Sequence, residues 1–263
     1  MKRLLLFAVM IFSSQFITAQ DYAIAQLENS PRHHEWRKLK SNGRALHCFV
    51  TYPEKSENAT TIVVIHENRG LNDWARSMAD QLAEAGYIAI APDLLSGASD
   101  VYEKTSDYPN SDEARKAIYG LDSDAVTKDL NVVFDFAKSI DGGNGEVAVM
   151  GFCWGGSQTF RYATNNKNIL AAMVFYGTAP KEAKVFSKIN APVYGFYGGA
   201  DQRVNATIEM TKQYMKENKK KYTYEIYDGA GHAFMRRGDD PNGDEPNVNA
   251  RNKAWERIKD ILN

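Results

Sequence analysis

Cys153 sits in Gly151-Phe152-Cys153-Trp154-Gly155, a glycine–x–nucleophile–x–glycine pattern with cysteine where esterases usually carry serine. Ahead of it, Val147-Ala-Val-Met150 reads as a buried apolar strand, and behind it a helix begins. A nucleophile on a sharp strand-to-helix turn occupies strained backbone. Side chains two positions to either side would collide there, so both positions are glycine. The following helix aims its free N–H groups and positive dipole end at the sulfur, which favours the thiolate. Glycine-rich turns of this kind also pack without catalysis in many α/β proteins, so the pattern takes its weight from its partners.

Two partners follow in chain order. Asp201 comes after the apolar run 191–198, and His232 comes after the alternating run 221–227. Nucleophile, acid, histidine is the order of α/β-hydrolase triads. A thiol attacks an acyl carbon once deprotonated, and His232 is the natural base and later proton donor. Asp201 would hold the imidazole tautomer and stabilise its charged form. Taken singly, Asp201 reads equally well as a helix cap and His232 as a loop histidine. Three suitable residue types at three strand ends point jointly to a triad. An oxyanion hole needs two backbone N–H groups, expected from Trp154 and from Asn68 in the loop after His66. The Trp154 indole reads equally as a packing ring, which leaves its amide role untouched.

The elements that must position these residues alternate. Residues 33–40 and 45–52, joined through Asn42-Gly43, read as a β-hairpin. Residues 61–66 and 87–92 are continuous apolar runs, typical of strands buried on both faces. Between them a helix is expected from the Asn72-Asp73 cap to about Ala85, stopped by Gly86. Residues 94–110 form a long polar loop of the lid or binding-loop type. A helical region follows over 111–140, interrupted near Gly120. Further strands are expected at 169–176, 191–198 and 221–227, a helix over about 205–218, a loop at 237–247, and a last helix over about 248–262. Residues 21–32 are polar and carry no assignment. The alternation predicts an α/β fold, one mostly parallel, doubly wound sheet with an N-terminal β-hairpin.

Composition bounds the function. With 263 residues, 43% apolar, 25% charged and a formal net charge of -1, the chain suits one large globular domain. It has no electrostatic footprint for nucleic acid or an anionic membrane. No zinc spacing, phosphate-cradling loop or dinucleotide fingerprint appears, so neither metal nor cofactor is expected, and the adjacent His33-His34 lacks further ligand spacing. Residues 1–19 have a basic head, a short apolar run and a small-residue end at Ala19, the layout of a secretory signal peptide. That predicts a secreted or periplasmic protein free of the membrane after cleavage. The remaining segments are 20–60, an extension with the hairpin, and 61–263, the core, together one domain. Export would permit a Cys48–Cys153 disulfide, but such a bridge would destroy the proposed site, and two free thiols are expected.

Together, Gly-Phe-Cys-Trp-Gly-Gly at 151–156, His-Glu-Asn-Arg-Gly at 66–70, Ala-Pro-Asp-Leu at 91–94 and Gly-His-Ala-Phe at 231–234 resemble the dienelactone hydrolase (carboxymethylenebutenolidase-like) family. The resemblance spans roughly Thr61 to the C-terminus. It implies an α/β-hydrolase fold and the opening of an unsaturated lactone through an acyl-cysteine intermediate. It also implies that Glu67 pairs with the resting thiol and that Arg236 binds a substrate carboxylate. Arg115 with Tyr119, four residues apart on one helix face, would serve as a second carboxylate clamp, or equally as a solvated face. The signal-like leader, the hairpin extension and the loop after Arg236 depart from the small cytosolic members, which leaves the substrate at a lactone or small carboxylic ester. A broader esterase or peptidase, and a non-catalytic binding protein of the same fold, are the alternatives.

Overall fold

The computed structural model describes residues 21–55 and 57–262; the leader expected over 1–19 lies outside the described residues. Helix α1 (Asp21–Glu28) precedes the hairpin β1 (His33–Ser41) and β2 (Arg44–Tyr52). Then come β3 (Ala59–Ile65), α2 (Asp73–Glu84), β4 (Ile88–Pro92), α3 (Ser111–Gly120) and α4 (Ser123–Lys138). The second half contains β5 (Gly143–Phe152), α5 (Trp154–Ala163), β6 (Ala172–Phe175), β7 (Val193–Gly198), α6 (Gln202–Asn205) and α7 (Ile208–Glu217). It closes with β8 (Tyr222–Tyr227), α8 (Phe234–Arg237) and α9 (Glu245–Leu262).

The eight strands among the described residues form one sheet in the order β1-β2-β4-β3-β5-β6-β7-β8. The hairpin is antiparallel and β2 joins β4 antiparallel, while β3 to β8 are parallel to their neighbours. Successive side chains of a strand point to opposite faces. Accordingly Ile62 and Val64 of β3 enter one core and Val63 and Ile65 the other; Ala148 and Met150 of β5 likewise face away from Val147 and Val149. Helices cover both faces, α2 and α9 on the first and α4 and α5 on the second. That is why the inner strands read as unbroken apolar runs rather than alternating ones. The fold is the expected α/β-hydrolase fold with an N-terminal hairpin.

Local signals account for most boundaries. Asn42 (φ 50°) and Gly43 (φ 79°) both adopt the left-handed conformation that a two-residue hairpin turn requires. Asn72 caps α2 by accepting from the Ala75 N–H at 3.0 Å. One unassigned segment folds, and three expectations need correction. The polar lead-in forms α1, because the buried Asp80 carboxylate of α2 gathers Gln26, Ser30, Arg32 and His34 around it at 2.6–2.9 Å. The helix expected at 205–218 is two pieces, α6 and α7, since Asp201 caps an early turn through the Val204 N–H at 3.3 Å. The strand expected over 169–176 is only four residues long, Ala172–Phe175. The last helix begins at Glu245, three residues early, and the 237–247 segment opens inside α8. Cys48 lies on β2, one strand in from the sheet edge, fully buried, with its thiol pushed well up by burial.

The 94–110 loop is tied down at several points: Ser96 Oγ accepts from the His47 N–H at 3.0 Å, and Lys38 reaches Glu103 at 3.2 Å. Asp93, at the end of β4, accepts from the Thr105 N–H and Oγ1, each at 2.7 Å, and Thr105 Oγ1 accepts from the Leu71 N–H at 3.0 Å. This joins the loop to the segment after β3.

Candidate active site

Parallel strands deliver their carboxyl ends to one edge of the sheet, where ligands bind in open α/β folds. Cys153 lies there between β5 and α5 with φ 56° and ψ −113°, a conformation that non-glycine residues rarely hold. Its neighbours allow this. A Cβ on Gly151 would meet the Gly155 carbonyl at 2.2 Å, and one on Gly155 would meet the Ile65 and His66 carbonyls at 2.3 Å. The elbow is therefore pressed directly against β3. The Cys153 N–H donates to the Phe175 carbonyl of β6 at 3.0 Å, which fixes the turn from the other side.

His232, in the segment after β8, places Nε2 3.1 Å from the Cys153 sulfur and Nδ1 2.5 Å from Asp201 Oδ2. Asp201 stands at the end of β7 and is buried, its other oxygen capping α6. Both roles foreseen for Asp201, cap and histidine partner, are thus met by different oxygens. Burial works against charge on the His232 ring, but the hydrogen bonds to Asp201 and the sulfur outweigh it and push its pKa up to about 9. Burial also opposes charge on Asp201, and the His232 contact holds its carboxyl below its ordinary value. Cys48 and Cys153 are both free.

Glu67 departs from what the resemblance implied. Its carboxylate does not sit on the thiol: Arg236 Nε donates to Oε2 at 2.9 Å and the Tyr176 hydroxyl to Oε1 at 3.4 Å. The sulfur's partner is His232 instead. Burial, with Glu67 adding to it, raises Tyr176 well above the usual phenol value, so it stays a neutral donor. The Glu67 carbonyl is held as well. The Leu94 N–H donates to His66 Nε2 at 3.3 Å, which leaves the proton on Nδ1, and Nδ1 donates to Glu67 O at 2.8 Å. Fully buried, the His66 ring is kept neutral and stacks on Trp154 with an interplanar angle of 12°.

Cys153, His232, Glu67, Tyr176 and Arg236 line one cleft of about 640 Å³ that also holds Asn68, Trp154, Arg115 and Tyr119. Trp154 opens α5, and the first N–H groups of a helix have no intrahelical acceptor. The Asn68 side chain donates to the Tyr119 hydroxyl at 3.1 Å, linking the loop after β3 to α3. Arg115, one turn before Tyr119, is half exposed and 3.3 Å from Asp112. Every expected site residue therefore comes to this cleft or, for Asp201, directly behind it. Sequence reasoning missed Tyr176, Arg69 and Arg203, which also line it. Tyr176 directly follows β6, and the strand-end rule would have singled it out. Arg69 stands in the quoted 66–70 motif after β3, which the strand-end rule would also have singled out; nothing in the local pattern marks Arg203.

Comparison with known proteins shows the family of this chain. The model of the dienelactone hydrolase family matches residues 46–263. A protein described as a candidate carboxymethylenebutenolidase from Saccharolobus solfataricus is 31% identical over 254 residues, covering 84% of this chain and 95% of its own. A second, from Methylorubrum extorquens, is 31% identical over 75% of this chain and 70% of its own. In structure, a candidate dienelactone hydrolase from Klebsiella pneumoniae superposes with a TM-score of 0.76 at 24% identity, covering 88% of this chain and 98% of that one, which speaks to the fold.

Proposed function

Because the chain belongs to the dienelactone hydrolase family, we propose that it hydrolyses a lactone or small carboxylic ester through an acyl-cysteine intermediate, with Cys153, His232 and Asp201 as the triad. The observation that supports this most is the unbroken hydrogen-bond chain from Asp201 through His232 to the Cys153 sulfur. His232 Nε2 holds the proton drawn from Cys153, and the sulfur attacks the acyl carbon as the thiolate. The carbonyl oxygen gains negative charge within reach of the Trp154 and Asn68 backbone N–H groups. As the C–O bond breaks, His232 returns the proton to the leaving oxygen, leaving a thioester on Cys153. Water then gives a proton to His232 and attacks the thioester, releasing the acid and the thiolate.

Arg236 is the reading's carboxylate anchor, with Arg115 and Tyr119 across the cleft. An arriving substrate carboxylate competes with Glu67 for the Arg236 guanidinium, and Tyr176 remains to hold Glu67. The leader-like residues 1–19 support export, so the working site of this reading is outside the cytoplasm.

The pH profile tests the chemistry. His232 is raised from its ordinary 6.5 to about 9, so its ring keeps its proton through neutral pH and loses it only as pH rises through about 9. The expected kcat/KM profile for an aryl ester falls along an alkaline limb there, and in Asp201→Asn the limb moves towards the ordinary imidazole value of about 6.5. A limb that ignores Asp201→Asn, or a rate that keeps climbing with pH, contradicts the assignment.

A further inference from the structure

Beside the catalytic cleft lies a second one of about 520 Å³, and Arg69 lines both. Three cations line the second cleft, Arg69, Arg76 and Lys104, against two carboxylates. Neither carboxylate neutralises the opening. Asp73 is tied to Arg76, and Asp93 is buried under Thr105. Arg69 is exposed and makes no hydrogen bond or ion pair among the described residues. The Lys104 ammonium lies 5.8 Å from the ring centroid of Trp36, which is 44% exposed on the edge strand β1. Tyr108 lines the same cleft with a hydroxyl that is shielded from solvent yet has no partner among the described residues. A buried hydroxyl without a partner is costly unless something else binds it. Uncompensated cations are notable in a chain of net charge -1, because such a cluster focuses anions.

We propose that the second cleft is a distal subsite for an anionic arm of the substrate. Arg69 and Lys104 take a carboxylate, Trp36 offers its face to the flat part of the arm, and Tyr108 donates a further hydrogen bond. Resting on the hydrolase reading above, this makes the substrate a multiply charged ester or lactone, with one carboxylate at Arg236 and a second beyond Arg69. Trp36 precedes the family-matched region 46–263, so the hairpin extension supplies part of the specificity.

The test uses matched aryl esters that all carry one carboxylate. They differ in a second arm, on the acyl or the phenol side, ending in carboxylate, methyl amide or ammonium. We expect one dianionic ester to exceed its amide twin about fivefold in kcat/KM, in line with a partly screened charge contact, and to lose this lead in high salt. In Arg69→Gln and Lys104→Gln the carboxylate-to-amide ratio should fall towards one. In Trp36→Ala KM should rise for every long-armed ester. No preference in the wild type, or a preference that survives both charge substitutions, overturns the subsite. If no ester is turned over, the cysteine reading fails separately. The subsite is then read from equilibrium titration of the same esters against Cys153→Ala, where equal binding of dianion and amide overturns it.

Discussion

Replacing Cys153 with alanine is expected to lower kcat for ester hydrolysis by about 10⁴-fold or more, the scale on which loss of a nucleophile acts in triad enzymes. The expectation follows from what the sulfur touches. Its polar contact is His232 Nε2 at 3.1 Å, and His232 keeps Asp201 when the sulfur is gone. Alanine therefore removes the attacking atom and leaves base, acid and cleft in place. The fold should persist, because the strained elbow is set by Gly151 and Gly155 and by the Cys153 N–H bond to Phe175, none of which the substitution changes. Steady-state rates beside a far-ultraviolet dichroism spectrum check both halves. A folded Cys153→Ala protein that retains the wild-type rate sinks the cysteine reading.

The second large effect concerns stability. Gly155→Ala places a Cβ 2.3 Å from two backbone carbonyls of the β3 segment, at Ile65 and His66. These atoms belong to an inner strand hydrogen-bonded on both sides, and no side-chain rotation relieves the clash. Helix α5 must lift from the sheet, at a cost of about 3 kcal/mol or more, the upper end of overpacking penalties. For a chain of this size that lowers Tm by roughly 6–12 °C. Gly120→Ala provides the contrast. A Cβ there meets nothing within 4 Å and φ is not positive, so it should change stability by less than about 1 kcal/mol. Thermal unfolding of the two variants decides it; equal midpoints would show that the elbow is not packed as described.

The inner strands and the elbow were legible because burial on both faces writes continuous apolar runs, and because tight approaches such as Gly151 and Gly155 leave only glycine. Asp201 and His232 were legible through their places after strands. Helix α1 was not. Its sequence is polar, and what folds it is Asp80, 54 residues from Gln26 in the chain, so no local period announces it. The break between α6 and α7 was hidden for a related reason, since Asp201 caps a short turn with one oxygen while holding His232 with the other. Glu67 was placed correctly on its loop but given the wrong partner. Its contact with Arg236 spans 169 residues and depends on how α8 meets the loop after β3. Arg203 was missed because a surface arginine looks like any other in sequence until a cleft forms around it; Arg69 was quoted in the 66–70 motif but given no role.

The account rests on an acyl group carried by the sulfur of Cys153. It is tested most directly by quenching the enzyme in acid during turnover of an aryl ester, weighing the intact protein and mapping the modified peptide. The predicted result is a mass gain of the acyl group less the one hydrogen it replaces, confined to the peptide holding Cys153 and absent from Cys153→Ala. An acyl group on any other residue, or turnover by Cys153→Ala at the wild-type rate, would contradict it.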